Sequence, residues 1–345
     1  MGTKLTDEQA AKLLSLAPKK YGQHSPADTS HLAVSLDDVD SFGDNASLKE
    51  MFTDIAKYNK MLSQKITFMN DSLTAAIPFT RENLYLIAAY TGSGKSTMAA
   101  NISFPLWKQG KKVLVMSNEE SQQDVLFRIA CLELGYNFND YKKGMMPINI
   151  QSEIIKRFPE ISQYVKVLDV NYKEGLTTKL EGVKNALIAI RDADYSCAII
   201  DYYQLIQYSV ADTSRGRYDV LNDFRIWLGQ YIKNSNVPIV VFAQLHSIGK
   251  RQNKDLDSRI KECPAILEPA TVVLEAIPNF EEQTTEFIIH KDRFGMQGNK
   301  ILCGFSKGRY VNMTEDFKQS IIQRKLDKLA TDIEDKTAAK VDKDD

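Results

Sequence analysis

A glycine-rich segment in the first third of the chain carries residues that can bind a nucleoside triphosphate. It reads AYTGSGKST and consists of Ala89, Tyr90, Thr91, Gly92, Ser93, Gly94, Lys95, Ser96 and Thr97. Glycines at these positions let backbone N–H groups converge on phosphate oxygens, Lys95 reaches the β and γ phosphates, and the Ser96 hydroxyl can bind Mg²⁺. An apolar run precedes the segment and a helix-compatible run follows it, which favours a phosphate-binding loop over an unrelated glycine turn, although alanine stands at the usual first glycine. The motif predicts ATP and Mg²⁺ as cofactors.

Polar side chains at the ends of three other predicted strands could complete a hydrolytic site. Asp201 ends the apolar run CAIID and is the predicted Mg²⁺ partner, with a plain strand cap as the alternative. Glu119 and Glu120 follow the run VLVMSN, where a carboxylate can activate water. Glu119 is the predicted base, whereas Glu120 could be a solvated acid in the first turn of the next helix. Gln244 follows VVFA, where an amide can contact the γ-phosphate or its water, while His246 is interpreted as a loop residue.

The elements that must position these groups alternate between strands and helices. Apolar runs predict strands at residues 84–88, 113–116, 165–170, 197–201 and 238–243, and helical patterns at 121–134, 177–190 and 218–232 supply the crossovers of a parallel sheet. Strands at 271–277, 285–290 and 300–305 follow without helices, which indicates an antiparallel extension. The pattern predicts an α/β protein with a mostly parallel twisted sheet flanked by helices.

The pattern also predicts four regions along the chain. Residues 1–43 are expected to form a loosely ordered arm, 44–65 a helix with one apolar face, 66–313 the main domain, and 314–345 a helix that continues into a charged tail. The helix at 44–65 could pack on its own domain or dock on a neighbouring subunit.

Composition narrows the class of protein. The 345 residues include 44 Lys and Arg against 45 Asp and Glu, a formal net charge of -1, so any binding to nucleic acid must come from local basic loops. The four cysteines are widely spaced, which argues against a structural zinc site or a disulfide framework. No apolar run is long enough to span a membrane and residues 1–16 are too polar for a signal peptide. We expect a soluble cytoplasmic protein without a membrane partner.

Taken in chain order, AYTGSGKS, VLVMSNEES, AIIDYYQL, NVPIVVFAQLH and IIHKDRFG resemble the hexameric DnaB-type replicative helicases and the helicase half of phage primase-helicases. The resemblance covers about residues 66–310. It implies a RecA-like P-loop ATPase core with an antiparallel strand extension, working as a ring-forming DNA helicase that moves 5′ to 3′. It places the catalytic base at Glu119 and a γ-phosphate contact at Gln244. It also implies that Lys291 and Arg293 act across the subunit interface on the neighbour's γ-phosphate; the alternative is two exposed cations on a strand that ends at the Gly295 turn.

The resemblance further implies single-stranded DNA as a partner, a homo-oligomer that is a hexamer, and a primase or loader protein as a further partner. Two basic loops could contact the phosphate backbone without sequence preference, although ordinary charged surface loops would have the same composition. Their cations are Arg215, Arg217, Lys250, Arg251, Lys254, Arg259 and Lys261.

The sequence departs from the family at AAIPFTREN before the first strand and at KECPAILEPAT after the second loop, and it lacks a zinc-binding primase module and the full helical N-terminal domain of bacterial replicative helicases. A compact phage or mobile-element version fits these departures. A RecA-like DNA-binding recombinase and a KaiC-like regulatory ATPase are the rival interpretations.

Overall fold

The computed structural model describes residues 67–77, 79–172, 175–191, 193–208, 216–246, 255–293 and 295–326, all within one compact unit of the chain. The predicted arm at 1–43 and the predicted helix at 44–65 lie outside the described residues, as do Arg215, Lys250, Arg251 and Lys254.

A single sheet of nine strands runs through the described part of the chain, in the order β3-β2-β4-β5-β1-β6-β7-β8-β9. The strands are β1 (Leu84–Ala89), β2 (Lys112–Ser117), β3 (Val165–Asp169), β4 (Tyr195–Asp201), β5 (Ile239–Gln244), β6 (Val272–Asn279), β7 (Thr284–Asp292), β8 (Lys300–Ser306) and β9 (Arg309–Val311). The six strands from β3 to β6 are parallel, and β7, β8 and β9 add to β6 as an antiparallel extension. The carboxyl ends of the parallel strands therefore form one edge of the sheet.

Helices cover both faces of this sheet. They are α1 (Asp71–Ala76), α2 (Lys95–Lys108), α3 (Gln122–Leu134), α4 (Phe138–Lys142), α5 (Ile148–Ile155), α6 (Phe158–Tyr164), α7 (Leu180–Arg191), α8 (Arg217–Tyr231), α9 (Leu256–Arg259) and α10 (residues 315–326). Alternate side chains of β1 enter two separate apolar clusters, one built with α2 and α3 and the other with α7 and α8. Because both faces are buried, β1 and β5 are continuous apolar runs instead of alternating ones.

The sequence-based predictions of the fold are confirmed, with ends displaced by a few residues. All eight predicted strands and the three crossover helices are present. The helix predicted to begin at Ser121 begins one residue later, because the Ser121 hydroxyl accepts a hydrogen bond from the backbone N–H of Asp124 at 3.2 Å and caps the helix. The elements that were not predicted from the sequence are β9, α1, the three short helices between residues 138 and 164, and α9.

The four cysteines are buried free thiols, as expected for a chain without a disulfide framework. None of the helices in the described residues is both long and apolar enough to cross a membrane.

Candidate functional site

The glycine-rich loop turns the chain from the end of β1 into the beginning of α2. Gly92 and Gly94 have φ angles of +76° and +84°, in the left-handed region where a Cβ atom would be strained. The Ser93 N–H donates to the carbonyl of Tyr90 at 3.1 Å and closes the turn. Because α2 is 14 residues long, its first N–H groups and its dipole favour an anion at this end. The loop therefore has the geometry of a phosphate-binding loop.

Lys95, the first residue of α2, is buried at the base of this loop with 7% of its surface exposed. Burial lowers the pKa of its ammonium group, while the carboxylates of Asp201 and Glu119 act in the opposite direction. Its Nζ atom lies 5.0 Å from the centre of the Tyr202 ring. A cation held in this way is placed to bind the β and γ phosphates of a nucleotide.

Asp201 lies at the end of β4 beside Ser96 and is 3% exposed. Burial raises the pKa of its carboxyl to about 6, against the lowering effects of a hydrogen bond from the Ser96 hydroxyl and of the Lys95 charge. Its Oδ1 atom is buried without a hydrogen-bond partner among the described residues. An unpaired carboxylate oxygen next to a serine hydroxyl is a donor set that Mg²⁺ accepts, so these two residues fit the Mg²⁺ ion that accompanies a nucleotide.

The two glutamates that follow β2 have different surroundings. The Glu120 carboxylate accepts a hydrogen bond at 2.5 Å from Arg128, which also donates to the Thr97 hydroxyl at 3.1 Å. The Glu119 side chain is exposed and forms no ion pair or hydrogen bond with the residues that the structure describes, although it lines the cavity beside Lys95. Glu119 is thus free to activate a water molecule, whereas Glu120 is held in an ion pair, and this arrangement supports the choice of Glu119 as base.

Gln244 ends β5 with its side-chain amide against the phosphate loop, where its Nε2 donates to the Thr91 hydroxyl. Its main chain is held by Gln204, a buried residue in the turn after β4. The Gln204 Oε1 accepts from the Gln244 N–H at 3.0 Å, and the Gln204 Nε2 donates to the Gln244 carbonyl at 3.0 Å. Gln204 and Arg128 were not predicted as site residues, and the only signal for Gln204 in the sequence is its place in the IDYYQL motif.

A cavity of about 350 Å³ opens beside the phosphate loop. The turn between β6 and β7 forms its far wall together with Phe305 and Tyr310, neither of which the sequence analysis singled out. This volume is within the usual range of small-molecule sites. The cavity leaves room for the nucleoside next to the phosphate groups.

Lys291 and Arg293 lie at the opposite edge of the sheet from the phosphate loop. Ala276 of β6 is in register with Ala89, whereas the beginning of β6 is in register with Asp292 at the end of β7. The separation along β6 is four residues, or about 13 Å at roughly 3.3 Å per residue. These two cations therefore do not belong to the phosphate site of their own chain.

The two cations themselves differ. The Lys291 Nζ donates to the carbonyls of Leu267 and Glu268, both at 3.0 Å, and burial followed by the Arg293 charge lowers its pKa. The Arg293 side chain is exposed. Arg293 is the more available of the two to a neighbouring molecule.

The candidate DNA-binding cations in the described residues are Arg217, Arg259 and Lys261. Arg217 is exposed and paired with Glu262 at 2.6 Å, and Lys261 is half-buried. Arg259 departs from the expectation of an exposed loop cation, because it is 8% exposed and its guanidinium is bound to the buried Glu275 carboxylate. A committed, buried guanidinium cannot reach a phosphate backbone without breaking that pair, so Arg259 is left out of the proposed DNA contacts.

The chain is similar to known proteins over this region. The family described as DnaB-like helicase C terminal domain matches residues 68–312. The replicative DNA helicase DnaB of Helicobacter pylori is 24% identical over 201 residues, a match that spans 57% of this chain but only 40% of that relative's length.

Two solved structures have the same fold. One, described as an ATPase domain, has a TM-score of 0.61 at 18% identity, covering 79% of this chain and all of that one. A DnaB-like replicative helicase, described with its interactions with primase, has a TM-score of 0.61 at 18% identity, covering 81% of this chain and 70% of that one.

Proposed function

The chain belongs to the DnaB-like helicase C terminal domain family, and from this premise we propose that it is the ATP-hydrolysing subunit of a ring that translocates on single-stranded DNA and unwinds duplex DNA at a fork. The main support for the proposal is the position of the site residues in the sheet. One edge of the sheet carries Lys95, Asp201, Glu119 and Gln244, and the opposite edge carries Arg293. A site divided in this way is complete only where two subunits meet.

Within one subunit, we propose that each residue has a separate task in ATP hydrolysis. Lys95 binds the β and γ phosphate oxygens, and Ser96 and Asp201 would hold Mg²⁺, which when bound neutralises the charge of the phosphates. Glu119 accepts the proton of the attacking water, since its carboxylate is exposed in the cavity. Gln244 donates its amide towards the γ-phosphate or that water from its position beside Thr91.

Between subunits, we propose that Arg293 and Lys291 stabilise the charge that develops on the neighbour's γ-phosphate. Contacts between unlike faces of identical subunits close into a ring when the rotation permits. A hexamer is the assembly that the family resemblance implies, and sequential hydrolysis around it would draw the strand through the channel 5′ to 3′.

The proposed DNA contacts are Arg215, Arg217, Lys250, Arg251, Lys254 and Lys261, on loops that would face the channel. Their positive charges would bind the phosphate backbone without sequence preference. Because the whole chain has a net charge of -1, such binding requires a local cluster of cations. Since the DnaB-like helicase of similar fold is described with primase, a primase or a loader protein is the further partner that we propose. We place the activity in the cytoplasm, or in the host cytoplasm if a phage encodes the chain.

Unwinding of a forked DNA substrate tests this function. The protein, ATP and Mg²⁺ are mixed with a labelled fork, and strand separation is followed with Lys95→Ala as the inactive control. We expect separation that requires ATP and a 5′ single-stranded tail. ATP hydrolysis that depends on DNA but separates no strands would favour the RecA-like recombinase, and hydrolysis indifferent to DNA would favour the KaiC-like regulatory ATPase.

A further inference from the structure

A buried ionic cluster lies behind the phosphate loop, outside the nucleotide cavity. Its centre is Glu275 in β6, which is 1% exposed and in register with Ala88 of β1. The Arg259 guanidinium forms a bidentate ion pair with this carboxylate, in which Nη1 donates to Oε1 at 2.5 Å and Nη2 donates to Oε2 at 2.7 Å. Such two-armed, charge-assisted hydrogen bonds fix orientation as well as distance.

His290 completes the cluster from β7. The pairing of β6 with β7 shifts between Val273 and Leu274, whose partners are Lys291 and Ile289, so His290 is the extra residue of a β-bulge. Bulges redirect a side chain, and here the His290 Nε2 lies 2.9 Å from Glu275 Oε2. Although burial alone would raise the pKa of Glu275, hydrogen bonds with His290 and Arg259 lower it to about 2, so the carboxylate stays charged inside the protein.

The cluster is joined to the nucleotide site by two routes. Arg259 Nη1 donates to the hydroxyl of Tyr90, the second residue of the phosphate-loop motif, at 3.4 Å. The Arg259 backbone carbonyl accepts a hydrogen bond from the His246 N–H at 2.8 Å, and the Lys261 N–H donates to the Gln244 carbonyl at 3.1 Å. These bonds form a short antiparallel ladder around the bridge between Leu245 and Ile260. The segment that leaves β5 is therefore tied to the segment that contains Arg259.

We propose that Arg259 and Glu275 are positioning residues for ATP hydrolysis, which hold the ladder next to Gln244 in fixed relation to the phosphate loop. Neither residue lines the nucleotide cavity, so they act through Gln244 and Tyr90 and not on the substrate. Burying an ion pair removes both charges from water, and such a pair often stabilises a protein no more than apolar residues of the same volume would. Stability alone therefore does not account for this pair. The inference rests on the proposed ATPase function.

The first measurement compares ATP turnover in three variants of the full chain. Glu275→Gln removes the charge and keeps the shape, and the double variant Arg259→Leu with Glu275→Leu removes the whole pair in case a single unpaired charge prevents folding. The matched control is Glu133→Gln on α3, which loses ion pairs with Lys108 of α2 and with Arg157, away from the cluster. Misplacement of a reacting group by about 1 Å can cost a hundredfold in rate. We expect kcat to fall by about tenfold to a hundredfold in the first two variants, with KM for ATP within about twofold, and no change in the control.

The second measurement separates positioning from a general loss of structure. In a double-mutant cycle, residues that act through one another are not additive. Glu275→Gln and the double Leu variant are therefore each combined with Gln244→Ala, and we expect them to lower kcat little further in that background. An equal proportional loss with and without Gln244, or a folded double Leu variant with wild-type kcat, would overturn the inference. A wild-type chain that hydrolyses no ATP would instead defeat the proposed function itself.

Discussion

Replacement of Asp201 by asparagine should stabilise the nucleotide-free protein while it abolishes Mg²⁺-dependent hydrolysis. Asp201 is 3% exposed, and burial raises its pKa from 3.8 to about 6, which corresponds to about 3 kcal/mol of unfavourable free energy for the charged form. Asparagine removes the charge and can still accept the Ser96 hydrogen bond. However, the asparagine amide N–H₂ takes the place of an oxygen that has no hydrogen-bond partner, and burying this unpaired donor costs about 1 kcal/mol or more. We expect a net stabilisation of about 1 to 2 kcal/mol.

The pH dependence of this effect has a defined sign. Because the folded-state pKa is higher than the unfolded one, the charge on Asp201 destabilises the fold fully above about pH 6 and not at all below about pH 4. The advantage of Asp201→Asn should therefore be largest at pH 7.5 and shrink towards pH 4.5. Added Mg²⁺ and ATP should make the wild-type protein the more stable of the two, because only the wild-type carboxylate gains a cation.

Urea unfolding of both proteins at the two pH values measures the effect, with Asp194→Asn, an exposed aspartate, as the control. A variant that is less stable than wild type at pH 7.5, or a difference that does not change with pH, would refute the reasoning from burial.

Three other outcomes are expected. Lys95→Ala should lower kcat for ATP by at least about a hundredfold, because it removes the charge on the β and γ phosphates, and turnover near wild type would refute the site. Single-stranded DNA should stimulate ATP hydrolysis, and the stimulation should weaken as the salt concentration rises. Each phosphate of a single strand that the protein neutralises contributes a slope of about −0.7 to the plot of log K for DNA binding against log salt concentration. Stimulation that does not depend on salt would argue against backbone contacts. Gln204→Leu should reduce kcat about tenfold and leave ATP affinity unchanged, because the Gln244 main chain loses both hydrogen bonds to that side chain; weaker ATP binding at unchanged kcat would contradict this.

The fold and the position of the glycine-rich loop in it could be predicted because their signals are local. A strand, a glycine loop and a helix are adjacent in sequence, and the apolar runs of β1 and β5 reflect burial on both faces of the sheet. The short helices α4, α5 and α6 were missed because segments of five to eight residues contain too few turns to establish a period.

Burial of charge could not be predicted from sequence. Arg259 stands in a basic stretch like its neighbours, and only the fold brings Glu275, 16 residues later, within hydrogen-bond distance. The hydrogen bonds between Gln204 and Gln244 likewise join two residues that are 40 positions apart in sequence, one in the turn after β4 and one at the end of β5. Such contacts depend on tertiary register, which residue type and spacing do not specify.

Two subunits are proposed to share each ATP site, and a mixing experiment tests this sharing most directly. Arg293→Ala leaves the phosphate loop intact but removes the cation at the far edge of the sheet, whereas Glu119→Ala removes the base and leaves that cation intact. Arginines supplied in trans are worth about 10³ to 10⁵ in rate, so each variant alone should be nearly inactive. In mixed rings, an intact Glu119 site can meet an intact Arg293 of its neighbour, and ATP hydrolysis should partly recover. No recovery, with mixed assembly verified by native mass spectrometry, would contradict the shared site.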